Sequence, residues 1–246
     1  MLIILYALIA LGPGIFWLIF YRRKDKEEPE PLRLVFKIFV WGMLATIPAA
    51  VFEFVVDYIM PYSYNESISQ IIWGTFLVIA PIEEYLKYLV IKKKIYKRPE
   101  FDQRLDGVIY GTVAGLGFAS LENVMATIGN GPSIILLRFF SATLMHAFAS
   151  GIVGYYLGRA RFNPKKEKSF IRRGLLIAII IHGAYNFVIT IGINVTIPLL
   201  VIIVLGGFVT LNQLIKGLKR RRARMLQENK PRLDNPPPQK TTDKQV

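Results

Sequence analysis

The chain has 246 residues, 53% of which are hydrophobic, and it carries a formal net charge of +14. This apolar content is too high for a soluble protein of this size and indicates a polytopic membrane protein. The chain contains no cysteine, which excludes disulfides, thiolate metal sites and a cysteine nucleophile.

Seven apolar segments are long enough to cross a bilayer, since a helix needs about 20 residues to span the hydrocarbon core. In chain order these segments are residues 1–21, 34–60, 70–91, 107–128, 134–157, 174–193 and 197–215. They predict an all-α fold in which residues 1–215 form a single bundle of about seven transmembrane helices. On the fourth segment, Gly107, Gly111 and Gly115 form a ridge of small residues that lets a neighbouring helix approach closely. We therefore expect this helix to be central to the bundle.

The positive charge lies almost entirely between the apolar segments. Of the 31 Lys and Arg residues, 28 fall in the linkers 22–33, 92–106 and 158–173 and in the tail that begins at residue 216. By the positive-inside rule, this distribution predicts that the N-terminus lies outside the membrane and the C-terminus in the cytoplasm. Attraction to anionic lipid headgroups explains the basic tail better than nucleic-acid binding does. The tail, residues 216–246, is predicted to be disordered because it is rich in proline and poor in apolar side chains.

Polar side chains also lie within the apolar segments, where each ionisable group costs about 2.5–3.5 kcal/mol to bury. Such groups are expected to face the interior of the bundle or a water-filled cavity. They are Glu53, Asp57, Glu83, Glu84, Lys87, Glu122, Asn123, Arg138, His146, His182 and Asn186. A rise of about 1.5 Å per residue places two of the glutamates and both histidines about 12 to 22 Å from the cytoplasmic helix ends, in one slab of the membrane.

The spacing of these residues suggests a hydrolytic site. Lys87 lies four residues after Glu83 and three after Glu84, so it can pair with either carboxylate on one helix. His182 and Asn186 are four residues apart and share a helix face. A glutamate in a pocket of low dielectric can deprotonate a water that attacks a carbonyl. The histidine and the asparagine can then donate hydrogen bonds to the oxyanion that develops.

A metal-dependent alternative uses the same residues, because two histidines with one or two carboxylates make a suitable zinc ligand set. Its ligands would be Glu83, Glu84, His146 and His182. The sequence contains no H-E-x-x-H motif, and the two histidines lie on separate predicted helices. A site without a cofactor is therefore favoured, and zinc is the alternative.

The order of the motifs resembles that of the PrsW family, a branch of the intramembrane proteases around the type II CAAX prenyl endopeptidases. The motifs are Glu83-Glu84-x-x-Lys87, Phe118-x-x-x-Glu122-Asn123, Arg138 followed by His146, and His182-x-x-x-Asn186. The resemblance implies a protease in the cell membrane of a bacterium. Its expected substrate is a single-pass anti-sigma factor, in which it makes the first (site-1) cut that leads to release of the sigma factor.

The resemblance also implies roles for individual residues. By analogy with the CAAX branch, Glu83 is the general base and Glu84 is the carboxylate that Lys87 holds. The same analogy makes His182 and Asn186 the residues that stabilise the oxyanion.

This chain departs from the CAAX branch at one motif. That branch ends its F-x-x-x-H motif in histidine, whereas this chain has Glu122 followed by Asn123. His146 is the candidate that supplies the missing imidazole, unless the mechanism differs. Arg138 is expected to support the site together with Glu122 and Asn123, although its place near a helix end also fits a side chain that reaches outward to the headgroups.

Two other classes of function fit the same residues. A proton-coupled transporter also places carboxylates, a lysine and histidines within a membrane. Against a transporter, no pair of similarly interrupted helices indicates the internal repeat that many carriers have. The second class is a non-catalytic membrane scaffold, which would use the polar residues as a structural network and would only bind partners. Glu53 and Asp57 are expected to form a hydrated interfacial face outside any site.

Overall fold

The computed structural model describes residues 2–25, 28–61, 67–192, 194 and 196–228, and within these ranges the regular structure is helical with no strand. In chain order the helices are α1 (Leu2–Arg22), α2 (Leu32–Ile59), α3 (Ile68–Ile72), α4 (Ala80–Lys94), α5 (Arg104–Asn130), α6 (Ile134–Phe140), α7 (Ala142–Arg161), α8 (Glu167–Ile191) and α9 (Thr196–Glu228). A π-helical segment, Trp73–Ile79, joins α3 to α4, and a 3-10 turn, Pro164–Lys166, precedes α8. The all-α prediction is confirmed.

Six spans in the described part of the chain are long and apolar enough to cross a membrane, and they match six of the seven predicted segments. The predicted segment 70–91 is the exception. It lies in a helical stretch from Ile68 to Lys94 that the π-helical segment divides. The second half of the predicted segment, residues 81–91, contains two glutamates and a lysine, which reduce the apolar content of the segment. The protein is thus a multi-pass membrane protein in which one predicted crossing is irregular and charged.

Helix α5 lies at the centre of the bundle, as predicted. It packs most extensively against α7 and also contacts α1 and α2 along its length. Its side chains are buried without interruption from Leu105 to Ser120. A helix that is apolar and buried on every face belongs to the interior of a bundle. Because of this position, α5 contacts α4 and α7, which carry residues of the candidate site.

The predicted glycine ridge of α5 meets the backbone of α7. A Cβ atom at Gly107 would lie 2.3 Å from the carbonyl oxygen of Gly154, and one at Gly111 would lie 2.4 Å from that of Ser150. At Gly115 the same atom would lie 2.3 Å from the carbonyl oxygen of His146. The two backbones are therefore in direct contact over two helical turns. This contact fixes the position of His146 relative to α5.

Replacement of Gly111 with alanine should destabilise the bundle, because the added methyl group overlaps the backbone of α7. Overpacking of this kind costs about 1–3 kcal/mol. The matched control is Gly129→Ala in the same helix, where an added Cβ meets nothing within 4 Å and alanine favours the helix by up to about 1 kcal/mol. Thermal unfolding of both variants in detergent, followed by tryptophan fluorescence, measures the difference. Equal stability of the two variants would contradict the close contact.

The predicted fifth segment, 134–157, is interrupted by a break between α6 and α7. Ser141 stands at this break with a non-helical backbone, φ −119° and ψ −90°. Trp17 of α1 donates a hydrogen bond to the carbonyl oxygen of Phe139 at 3.0 Å, next to the break. Arg138 lies before the break and His146 after it, and both side chains contact Glu122.

Helix α9 extends well beyond the predicted end of the bundle at residue 215. It continues to Glu228, so residues 216–228, which the sequence predicts to be disordered, are helical. Arg222 on this extension forms an ion pair with Glu28 and donates a hydrogen bond to Gln103 at 2.6 Å. These contacts hold the extension against the loop before α2 and the start of α5. Residues 229–246 lie outside the described residues, and their disorder stays a prediction.

Candidate active site

The first half of the site lies on α4, directly after the π-helical segment. At the end of that segment the N–H of Ala80 donates to the carbonyl oxygen of Thr75, five residues earlier. Because a π-helical turn is wider than an α-helical turn, it changes the direction of the side chains that follow it. Glu83, Glu84 and Lys87 are all buried in this part of α4. π-helical turns occur frequently at functional sites, since they reorient side chains without breaking the helix.

Lys87 binds both glutamates and one histidine. Its Nζ lies 2.8 Å from Glu84 Oε1, 3.1 Å from Glu83 Oε2 and 2.7 Å from His146 Nδ1. The ammonium also lies 4.3 Å from the centre of the Phe118 ring. The sequence predicts that Lys87 pairs with Glu83 or Glu84, and in the structure it pairs with both. A fully buried ammonium of this kind is retained only where opposite charges surround it.

The two histidines are oriented by carboxylates on opposite sides of the cluster. His182 Nδ1 lies 2.9 Å from Glu84 Oε1, and His146 Nε2 lies 2.7 Å from Glu122 Oε2. An ionised carboxylate only accepts hydrogen bonds, so the ring nitrogen facing it carries the proton. In the neutral rings this leaves a lone pair on His182 Nε2 and on His146 Nδ1.

Both lone pairs lie next to the same carboxylate oxygen. Glu83 Oε2 is 3.8 Å from His182 Nε2 and 3.9 Å from His146 Nδ1, and the two imidazole centres are 4.9 Å apart. This oxygen is buried, and the ammonium of Lys87 lies 3.1 Å from it. The structure thus brings together a carboxylate and two imidazoles from α4, α7 and α8. That convergence is what the depth of these residues in the membrane led us to expect.

The outer side of the site is closed by residues from α5 and α6. Arg138 donates to Glu122 Oε2 at 3.0 Å and to the side-chain oxygen of Asn123. Asn123 in turn donates to Thr143 Oγ1 at 3.1 Å. Glu122 therefore has partners on α6 and α7, which inspection of its own helix does not reveal. Arg138 points into the site.

Two predicted site residues are placed differently from the rest. The side chain of Asn186 takes no part in the hydrogen bonds found among the described residues of the cluster, although it lies one turn from His182 on α8. Glu84 is occupied by His182 and Lys87, and the group of close potential metal ligands consists of Glu83, His146 and His182 without it. Thr143 is a partner that the sequence did not indicate, because a single threonine in an apolar segment carries no distinctive pattern.

The potential ligand atoms have the chemistry of a zinc site. Glu83, His146 and His182 each offer one atom, and these atoms lie within 4.8 Å of one another. Both histidines also have a carboxylate on their other nitrogen, Glu122 or Glu84. This is the usual arrangement behind metal-binding imidazoles, because it fixes the ring and increases its basicity. The donor set and the orientation of the two imidazoles fit a zinc ion.

Comparison with known proteins gives a consistent result. The profile of the PrsW family, described as intramembrane metalloproteases, matches residues 30–211. The Protease PrsW of Geobacillus kaustophilus is 31% identical over 185 residues, which cover 74% of this chain and 80% of that protein. The Protease PrsW of Bacillus subtilis is 30% identical over 190 residues, with 76% and 84% covered. The Protease PrsW of Oceanobacillus iheyensis is 33% identical over 178 residues, with 72% and 80% covered.

No solved structure matches the chain significantly. The residues that the profile matches include every member of the cluster. The relatives are peptidases by name, which supports an enzyme over a transporter or a scaffold. The profile's description as metalloproteases also favours the zinc alternative over the cofactor-free site that the sequence favours.

Proposed function

The chain belongs to the PrsW family of intramembrane proteases, and from this premise we propose that it cuts a single-pass membrane protein at the cluster around Glu83. The protein is a multi-pass peptidase of a bacterial cell membrane. The observation that carries the proposal is the meeting of Glu83 Oε2 with His146 Nδ1 and His182 Nε2 in a buried position. Three helices supply these groups, so the site exists only in the assembled bundle.

The preferred form of the site holds zinc on Glu83, His146 and His182. A zinc ion bound there would polarise the scissile carbonyl and lower the pKa of a bound water. The chain's own contribution is orientation. Glu84 accepts the Nδ1 proton of His182, and Glu122 accepts the Nε2 proton of His146. The two unprotonated nitrogens therefore face Glu83, and the ammonium of Lys87 also donates to His146 Nδ1.

A second form, without a metal, is favoured by one observation, the position of Lys87. Its ammonium lies against Glu83 Oε2 and His146 Nδ1, where it compensates the carboxylate and fills space that an ion would need. In this form Glu83 is the general base for the attacking water, as the CAAX analogy implies. His182 can donate to an oxyanion through Nε2 only as the imidazolium, because Glu84 already holds the proton on Nδ1.

The class of substrate follows from the position of the site. Glu83, His146 and His182 are 4%, 2% and 1% exposed and lie between membrane-spanning helices. A peptide bond reaches such a site from within the bilayer, as part of a transmembrane segment that unwinds locally. An anti-sigma factor with one transmembrane segment meets this requirement. Its choice as the substrate, and the order of the cut as the first, rest on the resemblance of the motifs to the PrsW family.

The proposal is tested by co-expression with single-pass membrane proteins that carry a tag at each end, anti-sigma factors among them. We expect the wild type to produce two fragments and His182→Ala to leave the substrate intact, because the variant lacks one of the three converging atoms. Asn212→Ala is the matched control, since that side chain bonds only the carbonyl oxygen of Phe208 on its own helix. Immunoblots and mass spectrometry of the fragments give the rate and the cut.

Two results would count against parts of the proposal. Substrate that accumulates equally with the wild type and with His182→Ala would remove the proteolytic function. Cleavage of other single-pass proteins, with every anti-sigma factor left intact, would keep the protease and reject its proposed substrate.

A further inference from the structure

A second cluster of buried carboxylates lies at the end of the bundle that carries the basic linkers. It consists of Asp25 and Glu30, in the connection between α1 and α2, and Asp106, in the first turn of α5. Their side chains are 2%, 5% and 0% exposed, respectively. One oxygen from each lies within 4.8 Å of one from each of the others. This cluster is separate from the active site, because Asp106 and Glu122 are sixteen residues apart on α5, or about 24 Å along the helix axis.

The hydrogen bonds around the cluster leave two carboxylate oxygens without a donor. Asp106 accepts from the backbone N–H groups of Asp102 and Gln103 through Oδ2, at 2.8 and 2.7 Å. Its Oδ1 is buried and receives no N–H or hydroxyl donor from the described residues, and the same is true of Asp25 Oδ2. The carboxyl groups of Glu30 and Asp106 are close enough to share a proton. Glu30 accepts from the hydroxyl of Tyr110. Buried oxygens of this kind are rare in folded proteins unless water or an ion satisfies them.

Among the described residues, the charges closest to Glu30 repel its carboxylate. The two charged groups that act most strongly on Glu30 are Asp106 and Asp25, and both are acidic. Burial raises the pKa of Glu30 to about 9, and these neighbours act in the same direction. The positive charges of Lys219 and Arg222 on α9 attract the carboxylate of Asp25, but Arg222 is already paired with Glu28. Three carboxylates at this distance repel one another unless a cation or protons lie between them.

We propose that Asp25, Glu30 and Asp106 bind a hard divalent cation such as Mg²⁺ or Ca²⁺. Such ions take carboxylate oxygens as ligands, and the imidazoles of the active site have no counterpart in this cluster. Ligand oxygens around Ca²⁺ lie about 2.3–2.6 Å from the ion, so no two of them are more than about 5.2 Å apart. The three carboxylate oxygens lie within 4.8 Å of one another, which meets this limit. A smaller separation would suit Mg²⁺. A cavity of about 590 Å³ lies next to the cluster, and Asp25 is one of the residues that line it.

The cation joins two parts of the fold that are far apart in sequence. Asp25 and Glu30 hold the connection before α2, and Asp106 caps the start of the central helix α5. The extension of α9 contacts the same region through the ion pair of Arg222 with Glu28. A bound ion therefore stabilises the predicted cytoplasmic end of the bundle without taking part in the chemistry of the active site.

Thermal unfolding of the purified full chain in detergent, followed by tryptophan fluorescence, tests this site. After removal of metal with a chelator, the protein is titrated with MgCl₂ or CaCl₂, and NaCl of equal ionic strength serves as the reference. For wild type we expect a saturable rise in Tm of about 2–4 °C with one of the divalent ions. Glu30→Gln and Asp25→Asn should lose this rise.

Two further variants locate the ion. Glu100→Gln removes a half-exposed carboxylate whose ion pair in the described part of the chain is with Arg98, so it should keep the full rise. Glu83→Gln removes a proposed zinc ligand of the active site and should also keep the full rise in Tm. A rise that is lost in Glu83→Gln but kept in Glu30→Gln and Asp25→Asn would assign the ion to the active site and overturn the proposal. If neither divalent ion raises the Tm more than NaCl does, the proposal is overturned as well. Protons shared between the carboxyl groups would then explain how the three groups lie together.

Discussion

Glu83→Gln should reduce cleavage of a membrane substrate by about 10²–10⁴-fold, the usual contribution of a general base or an equally positioned catalytic group. Glutamine has the shape of glutamate, but its amide neither takes a proton from water nor offers an anionic oxygen to zinc. Because Lys87 keeps its contact with Glu84 at 2.8 Å, the buried ammonium still has an opposite charge. We therefore expect the variant to fold and to accumulate as the wild type does.

Glu84→Gln is the matched comparison for this prediction. The amide oxygen of glutamine can still accept the Nδ1 proton of His182, which Glu84 now accepts at 2.9 Å. We expect Glu84→Gln to retain more activity than Glu83→Gln, because it perturbs the orientation of an imidazole and leaves the converging atoms in place. Initial rates of fragment formation, normalised to the amount of each variant, provide the measurement. Equal rates for Glu83→Gln and wild type would remove Glu83 from the catalytic machinery in both forms of the site.

Lys87→Met should have the largest effect on stability. It leaves Glu83 and Glu84 side by side in the interior, where loss of one partner of a buried ion pair costs about 3–5 kcal/mol. Lys92→Met in the same helix is the matched control. Lys92 pairs with Glu167 at a half-exposed position, where such pairs contribute about 0–1 kcal/mol. Unfolding of both variants in detergent gives the comparison, and equal stability would show that Lys87 does not neutralise the site.

Zinc added to Lys87→Met separates the two forms of the site. If zinc binds between Glu83, His146 and His182, it replaces the missing positive charge and raises the Tm of this variant more than that of Lys92→Met. The gain should vanish when His182→Ala is added, because one of the three ligands is then absent. No difference between the two lysine variants in their response to zinc would support the form in which Lys87 itself fills the position.

The helical fold could be predicted from the sequence because hydrophobic length is a local property. Six predicted segments correspond to observed apolar spans, and the ridge of Gly107, Gly111 and Gly115 identified the helix that meets α7. The spacing of Glu83, Glu84 and Lys87 likewise predicted their ion pairs. All these features depend on residues one or two turns apart on a single helix.

The features that sequence reasoning missed depend on contacts between distant segments. The π-helical segment Trp73–Ile79 and the break at Ser141 are small changes in backbone direction that neither hydropathy nor charge reveals. The partners of Glu122 come from α6 and α7, so its own helix gave no indication of them. Asp25 and Glu30 lie in a linker whose charges indicated only the topology, although both are buried.

The buried charges of α4, on Glu83, Glu84 and Lys87, affect how the protein is inserted into the membrane. The glutamates and lysine of α4 find imidazole partners only on α7 and α8, which the ribosome completes after α4 has emerged. Until then, this segment carries charges that are costly to leave facing lipid. Nascent chains that end after α5 should therefore keep the segment beside the insertion machinery and be degraded quickly, whereas chains that include α8 should be released as a stable bundle.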